Sequence, residues 1–175
     1  MPTAPINKMK KIIVIGCPGC GKSTLARALS ERTGLPLYHL DNMYWNADKT
    51  TVDRSAFVSR LEAVLAEDEW IIDGNYSSTM EMRMAACEGV IFLDYPTEIC
   101  LRGVRERRGK PRPDMPWIET EEDGELTAFI KRYGIEERPR VLSLIDKYKY
   151  GRSTLIFGSR EEADEFLLSL PAKTN

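Results

Sequence analysis

The chain has 175 residues, of which 42% are hydrophobic and 30% charged, and its formal net charge is −2. These values are typical of a globular domain with a sizeable core, and they exclude a general electrostatic attraction to nucleic acid. No apolar run approaches the roughly 18 residues that span a bilayer, and the first ten residues lack the apolar segment of a secretion signal. The sequence therefore predicts a single cytoplasmic domain over 1–175, with no membrane partner and a disordered lead-in over 1–10.

Apolar runs alternate with helical periodicity along the chain, which predicts an α/β fold with a parallel sheet. The predicted elements are a strand at 11–16, a helix at 22–32, strand 35–40, a helix from 51 or 53 to 67, strand 70–73, helix 77–86, strand 89–94, helix 97–108, a mobile loop at 109–124, helices 126–133 and 138–148, strand 153–157 and a last helix opened by the capping box Ser159–Glu162. Ligands of such sheets bind at the carboxyl ends of the strands. Gly16, Asp41, Asp73 and Asp94 all fall there.

Residues Gly16–Ser23 match the phosphate-loop pattern G-x-x-x-x-G-K-[ST] without a mismatch. The match follows a predicted strand and opens a predicted helix, so main-chain N–H groups and the helix N-terminus can surround phosphates. We expect Lys22 to contact the β- and γ-phosphates and Ser23 to bind Mg²⁺. The predicted nucleotide-binding residues are Gly16, Cys17, Pro18, Gly19, Cys20, Gly21, Lys22, Ser23 and Thr24, and the predicted cofactors are ATP and Mg²⁺.

Two apolar strands end in aspartate, and either carboxylate is a candidate for supporting Mg²⁺ through water. Asp73 precedes the turn Gly74-Asn75-Tyr76, which favours it as the metal residue. Asp94 is interpreted as a residue that ends its strand or caps the next helix. The choice between Asp73 and Asp94 as the residue that supports Mg²⁺ is left open by the sequence.

The cysteine pair in the loop, Cys17 and Cys20, has a spacing also found in redox and zinc sites. No second ligand pair follows, and His39 is the only histidine, so we interpret both cysteines as small residues that fill the loop. Oxidation that blocks nucleotide binding is an alternative hypothesis. His39 receives no catalytic role.

Six basic residues fall between 102 and 112, and three of them, Arg102, Arg105 and Arg108, share one helical face. Beside a phosphate site, such a face favours a phosphate-binding role. The alternative is a solvated basic face with ordinary surface ion pairs.

Several of these segments together resemble adenylate kinase-type P-loop kinases, and more closely the bacterial DNA topology modulation proteins related to FlaR. The resemblance covers nearly the whole chain and rests on the phosphate loop, Leu40-Asp41-x-x-Tyr44-Trp45, Trp70-x-Ile72-Asp73-Gly74-Asn75-Tyr76 and the Arg102–Arg112 segment with Arg112-Pro113-Asp114. It implies a three-layer P-loop NTPase fold: five parallel strands, helices on both faces, an acceptor-binding segment at 42–69 and a mobile lid at 109–140.

The resemblance also implies roles for individual residues. Arg105 and Arg108 would join Lys22 and Asp73 in catalysis, and Arg102 would bind ATP. The arginine that grips the acceptor phosphate in adenylate kinases is replaced here by Asn75-Tyr76. Arg83 is the predicted substitute, unless the acceptor is not AMP.

The acceptor half of the site is the less defined part of the prediction. Asp41 is a candidate substrate residue, as hydrogen-bond acceptor or base, with a turn cap as its alternative. Tyr76 is a candidate for stacking on a base together with Tyr44 and Trp45, although core packing explains Trp45 and Trp70 equally well.

The predicted function is ATP-dependent phosphoryl transfer to a small acceptor, a nucleotide or nucleoside. The alternative is a nucleotide-dependent regulatory or DNA-associated protein, supported only by the arginine cluster and disfavoured by a sequence pI near 5.6. A GTPase switch is disfavoured because no Asn-Lys-x-Asp segment is present. The sequence names neither the acceptor nor the oligomeric state.

Overall fold

The computed structural model describes residues 5–171, which form five strands and eight α-helices. The strands are β1 (Lys11–Gly16), β2 (Leu37–His39), β3 (Trp70–Asp73), β4 (Gly89–Leu93) and β5 (Ser153–Phe157). The helices are α1 (Lys22–Thr33), α2 (Leu40–Tyr44), α3 (Arg54–Leu65), α4 (Ser77–Ala86), α5 (Thr97–Arg107), α6 (Gly124–Glu136), α7 (Arg138–Lys147) and α8 (Arg160–Ser169).

The five strands make one parallel sheet in the order β2-β3-β1-β4-β5. Parallel neighbours need crossover connections, and the helices supply them. β1 lies at the centre, so the phosphate loop that follows it opens between the carboxyl ends of β3 and β4. The predicted α/β fold with a five-stranded parallel sheet is confirmed.

Alternate residues of each central strand point to opposite faces of the sheet, and each face is buried under helices. Ile12 and Val14 contact a core that includes Leu25 and Leu29 of α1 together with residues of α5, α6 and α8. Ile13 and Ile15 face a second core made with α3, α4 and α7. The continuous apolar sequence of β1 follows from this burial on both faces.

The start of the described chain differs from the predicted disordered lead-in over 1–10. Residues Ile6–Lys8 form a short 3₁₀ helix, and Ile6 and Met9 are buried, with 5% and 7% of their surfaces exposed. Both side chains lie beside Gly89 at the start of β4, where any larger residue would collide with them. Two apolar side chains thus attach this segment to the core, and residues 1–4 lie outside the described residues.

Two local details differ from the sequence prediction. The short helix α2 was not predicted, because its five residues show too little periodicity. In the predicted capping box, Ser159 Oγ accepts a hydrogen bond from Glu162 N at 3.2 Å, as expected. The Glu162 carboxylate differs, because it accepts from Gly158 N at 2.8 Å instead of from Ser159 N.

Between α5 and α6, residues 108–123 contain no strand or α-helix. We call this stretch the 108–123 segment.

Candidate nucleotide-binding site

The phosphate loop joins β1 to α1 with a backbone that only glycine adopts easily at two points. Gly19 has φ +83° and Gly21 has φ +93°, both in the left-handed region. Gly21 is the residue before the first turn of α1, so the N–H groups of that turn open toward the loop. The arrangement is an anion site made of main chain and helix N-terminus.

Helix α5 packs its backbone directly against this loop. A Cβ on Gly103 would lie 1.9 Å from the Gly19 carbonyl oxygen, and a Cβ on Gly19 would lie 2.1 Å from the Cys100 carbonyl oxygen. Both distances are far below any real carbon–oxygen contact. Two glycines therefore fix the distance between α5 and the loop.

The cysteines of the loop are buried in the protein. All four cysteines are free, and Cys17, Cys20 and Cys100 expose at most 2% of their surfaces. The Cys17 thiol hydrogen bonds to Cys100, which raises the pKa of Cys17. Burial raises the pKa of Cys20 to about 11. These are packed thiols beneath the loop, the arrangement expected of loop-filling residues.

Ser23 and Asp73 meet at the carboxyl ends of β1 and β3. Ser23 Oγ donates to Asp73 Oδ2 at 2.6 Å, and His39 Nδ1 lies 2.7 Å from the same oxygen. Asp73 is 3% exposed. Within the described residues its Oδ1 is buried with no hydrogen-bond partner, and an orphaned carboxylate oxygen fits a Mg²⁺-bound water. His39, which sequence reasoning left without a role, holds this carboxylate in place.

Asp94, the other candidate for Mg²⁺, is engaged elsewhere. Its carboxylate accepts hydrogen bonds from Arg138 Nε at 2.8 Å and from Arg138 Nη2 at 2.8 Å. A carboxylate clamped by a guanidinium has fewer lone pairs for metal-bound water. The geometry thus favours Asp73, and Arg138 is a partner of Asp94 rather than a residue of the cavity described next.

A cavity of about 780 Å³ opens beside the loop. Among the predicted site residues, those that line it are Pro18, Gly19, Cys20, Gly21, Lys22, Ser23, Thr24, Asp41 and Tyr76. Gly16, Cys17 and Asp73 lie beneath the lining, and Gly16 N donates to Asn75 Oδ1 at 3.1 Å. Burial lowers the pKa of Lys22, but the nearby Cys20, Asp73 and Asp41 raise it by more, so the net shift is upward and Lys22 stays cationic.

The predicted arginine face is not the face of α5 that lines the cavity. The lining residues are Gly103, Glu106 and Arg107, followed by Lys110, whereas Arg102, Arg105 and Arg108 are absent from it. Arg102 instead forms an ion pair with Glu106 at 3.5 Å. The contact between Gly103 and the phosphate loop fixes the rotation of the helix, so Arg102, Arg105 and Arg108 lie outside the cavity lining, contrary to the expected position.

Arg107 and a second arginine from the 108–123 segment, Arg112, take the place of the predicted arginines. Both bind Glu119: Arg107 Nη2 lies 3.2 Å from Oε1, and Arg112 Nη2 lies 3.2 Å from Oε2. Arg112 Nη1 also donates to Asp114 Oδ2 at 3.1 Å. Asp114 is 2% exposed and lies 3.9 Å from Arg27 of α1.

Asp41 and Tyr76 are hydrogen bonded to each other in the wall of the cavity. The Tyr76 hydroxyl donates to Asp41 Oδ1 at 2.5 Å. Burial raises the pKa of the Asp41 carboxyl above its ordinary value. Burial and the neighbouring Asp41 also raise the pKa of Tyr76, so its hydroxyl keeps its proton. The two predicted substrate residues therefore form a single polar unit.

Arg83 is the third predicted substrate residue, and the structure contradicts this role. It is fully buried and outside the cavity lining. Its guanidinium donates to the main-chain oxygens of Gly74 at 2.9 Å, of Tyr76 at 3.2 Å and of Asn75. Burial lowers its pKa. Arg83 holds the turn after β3, where it satisfies carbonyl groups rather than an acceptor phosphate.

Aromatic rings make the remaining wall of the cavity. Trp45 and Trp117 both line it, with ring centroids 5.1 Å apart in an edge-to-face arrangement. Trp70 is fully buried, in agreement with the core alternative for that residue. Sequence reasoning missed Trp117, Asp114 and Glu119, because nothing in an irregular segment shows which side chains turn inward. Gly103 is the sequence feature that could have indicated the close approach of α5 to the phosphate loop.

Comparison with known proteins supports a P-loop kinase-like NTPase. Residues 12–127 match the family model described as "AAA domain". An uncharacterized protein of Bacillus subtilis strain 168, YqaC, is 39% identical over 103 residues, which are 56% of this chain and 56% of that protein. The match thus spans little more than half the length of this relative.

Solved structures of shikimate kinases share the fold. The enzyme from Bacteroides thetaiotaomicron superposes with a TM-score of 0.54 and 20% identity over 93% of this chain and 96% of its own. The enzyme from Acinetobacter baumannii, in complex with shikimate, has a TM-score of 0.54 and 18% identity over 92% of each chain. Within the part of the chain that the structure describes, no helix has the length and apolarity needed to span a membrane.

Proposed function

The chain belongs to the AAA domain family matched by residues 12–127, and from this premise we propose that it is an ATP-dependent, Mg²⁺-requiring kinase of a small molecule. The observation that carries the proposal is the Ser23–Asp73 hydrogen bond of 2.6 Å at the base of the phosphate loop. A hydroxyl and a carboxylate side by side at the end of a phosphate loop are the groups expected to support Mg²⁺ bound to ATP phosphates. The adenylate kinase-type architecture, with 42–69 as acceptor segment and 109–140 as lid, is part of the proposal.

The donor side of the proposed reaction is positioned by the phosphate loop. Its N–H groups and Lys22 would hold the β- and γ-phosphates, Ser23 would bind Mg²⁺, and Asp73 would support the metal through water. The metal supplies charge neutralisation at the phosphates. Arg107 and Arg112, rather than the predicted Arg105 and Arg108, line the cavity, and both are paired there with Glu119.

The acceptor hydroxyl would lie near Asp41, which lines the same cavity as the phosphate loop. Phosphoryl transfer needs little covalent help from the protein, so positioning and exclusion of water carry the rate. The DNA-associated alternative has weaker support, because three of the six basic residues between 102 and 112, namely Arg102, Arg107 and Arg112, are paired with a carboxylate.

ADP release in the presence of ATP, Mg²⁺ and a panel of nucleosides, nucleotides, sugars and small acids tests the proposal. We expect turnover with at least one acceptor above the rate with ATP alone, and loss of ATP binding by calorimetry in Lys22→Ala. Lys147→Ala, an exposed lysine in α7, is the matched control and should bind ATP normally. ATP affinity unchanged in Lys22→Ala contradicts the donor site, and tight ATP binding without turnover on any acceptor contradicts the kinase.

A further inference from the structure

The part of the cavity that faces the phosphate loop is enclosed by side chains from three separated segments. We call it the acceptor chamber and define it by Asp41, Trp45, Tyr76, Asp114 and Trp117, all of which line the cavity. The 108–123 segment touches α2 at two points. Asn42 Nδ2 donates to the Pro113 carbonyl oxygen at 2.8 Å, and the rings of Trp45 and Trp117 meet.

Three arginines beside the acceptor chamber, Arg27, Arg107 and Arg112, face three carboxylates, Asp41, Asp114 and Glu119, so these six residues carry no excess positive charge. Arg112 binds both Asp114 and Glu119, and Glu119 also holds Arg107. Arg27 approaches the other oxygen of Asp114 at 3.9 Å and Thr24 Oγ1 at 3.4 Å. Lys110, the remaining lysine of the 108–123 wall, is exposed.

An anionic acceptor would have to displace one of these carboxylates. The Asp114 side chain is only 3% exposed, so loss of Arg112 would leave a buried charge without its partner, which is strongly unfavourable. Asp41 adds a second carboxylate to the same chamber, and Asp114 contributes to the upward shift of the Asp41 pKa. A phosphate or carboxylate group added to this balanced set of charges would give it a net negative charge, which is unfavourable where the groups are partly buried.

We propose that the acceptor is an uncharged polyhydroxyl molecule with an apolar ring face, a nucleoside or a sugar, and not a nucleotide or an organic acid. This inference rests on the proposed kinase function. Asp41 accepts a hydrogen bond from an acceptor hydroxyl through Oδ2, since Oδ1 already accepts from Tyr76. Trp45 and Trp117 pack against the flat face of the ring, as aromatic side chains do with bases and sugars.

The transfer balances with groups that the site and substrates supply. The acceptor hydroxyl oxygen forms a bond to the γ-phosphorus of ATP while the bond from that phosphorus to the β,γ-bridging oxygen breaks, and ADP leaves. The hydroxyl proton passes to Asp41 Oδ2 and then to water. Asp41 must be ionised to accept it, so kcat should fall as the pH falls through the raised pKa of Asp41.

Comparing an uncharged acceptor with an anionic derivative of it tests the inference. We would measure ADP release with adenosine against AMP, and with glucose against glucose 6-phosphate and gluconate. The uncharged member of at least one pair should have a kcat/KM at least tenfold above its anionic counterpart, and the pair that responds tells nucleoside from sugar. A higher kcat/KM for the anion in both series overturns the inference while the kinase function stands. No ADP release with any of the five compounds or other acceptors overturns the kinase function itself.

Two variants separate the charge argument from a general loss of folding. Asp114→Asn removes one of the two carboxylates that pair with Arg112 and leaves one uncompensated positive charge, so the ratio of anionic to uncharged turnover should rise at least fivefold. Asp41→Asn should lower kcat for the uncharged acceptor and leave ATP affinity unchanged. Asp146→Asn, an exposed carboxylate of α7, is the matched control and should alter neither. An unchanged ratio in a folded Asp114→Asn protein that still binds ATP contradicts the inference.

Discussion

The phosphate loop and the acceptor chamber are made from different kinds of structure. The loop is eight consecutive residues whose main-chain N–H groups and glycine conformations form an anion site. The chamber combines side chains of α2, the turn after β3 and the 108–123 segment. Main-chain recognition needs only local sequence, whereas side-chain recognition needs distant segments to meet. Damage to the loop should therefore impair every reaction of the protein, and damage to the chamber should change which acceptor reacts.

The largest effect is expected at the metal end of the loop. Asp73→Asn should lower kcat by about 10²–10³-fold, roughly 3–4 kcal/mol of transition-state stabilisation, because the amide keeps the size of the side chain and loses its charge. Asp94→Asn should change kcat by less than about threefold, since Asp94 is paired with Arg138. ADP release across a Mg²⁺ titration measures both, and equal losses in the two variants contradict the assignment of Asp73.

The contact between the loop and α5 should dominate stability. Gly103→Ala places a Cβ against the Gly19 carbonyl oxygen, and we expect the free energy of unfolding to fall by about 3 kcal/mol. Gly134→Ala in α6 meets open space, so it should raise stability by about 0.5–1 kcal/mol. Urea denaturation compares the two alanines, and a Gly103→Ala protein as stable as the wild type refutes the packing argument.

A smaller loss is expected at the turn that carries the chamber. Arg83→Met removes the donor of three main-chain carbonyl groups and should cost about 2–3 kcal/mol of unfolding free energy. Arg140→Met is the control, because the Arg140 side chain is 71% exposed and its ion pair should contribute less than about 0.5 kcal/mol. If Arg83→Met keeps its stability and loses only acceptor affinity, the guanidinium binds substrate after all.

The smallest effect distinguishes two neighbouring faces of α5. Arg107→Met should lower kcat/KM for ATP by about tenfold, or roughly 1.4 kcal/mol, because Glu119 loses one of its two arginines and the cavity becomes more negative. Arg105→Met alters a residue outside the lining and should leave kcat/KM unchanged. Steady-state kinetics with ATP varied measures both, and the reverse order restores the arginine face predicted from the sequence.

The difference between the two regions also explains what the sequence could reveal. Alternating apolar and helical patterns were enough for the sheet, and the bounds of β3, α4 and β5 agree with the predicted ones. Asp73 was found because it ends a buried strand. Arg107 was missed in favour of Arg105, since spacing shows which residues share a face of a helix but not how the helix is rotated. Asp114 and Trp117 lie in an irregular segment, where their inward position depends on contacts distant in sequence.

The close approach of Gly103 to Gly19 couples the position of α5 to that of the phosphate loop. Arg107 lies four residues beyond Gly103, about 6 Å along the helix axis, and leads directly into the 108–123 segment. Because the backbones of Gly103 and Gly19 are in direct contact, a tilt of α5 displaces the phosphate-binding backbone and Arg107 together. A ligand bound at the loop should therefore change the affinity with which the region around Arg107 binds a second ligand. Thermodynamic linkage requires that the second ligand change the affinity of the loop by the same factor.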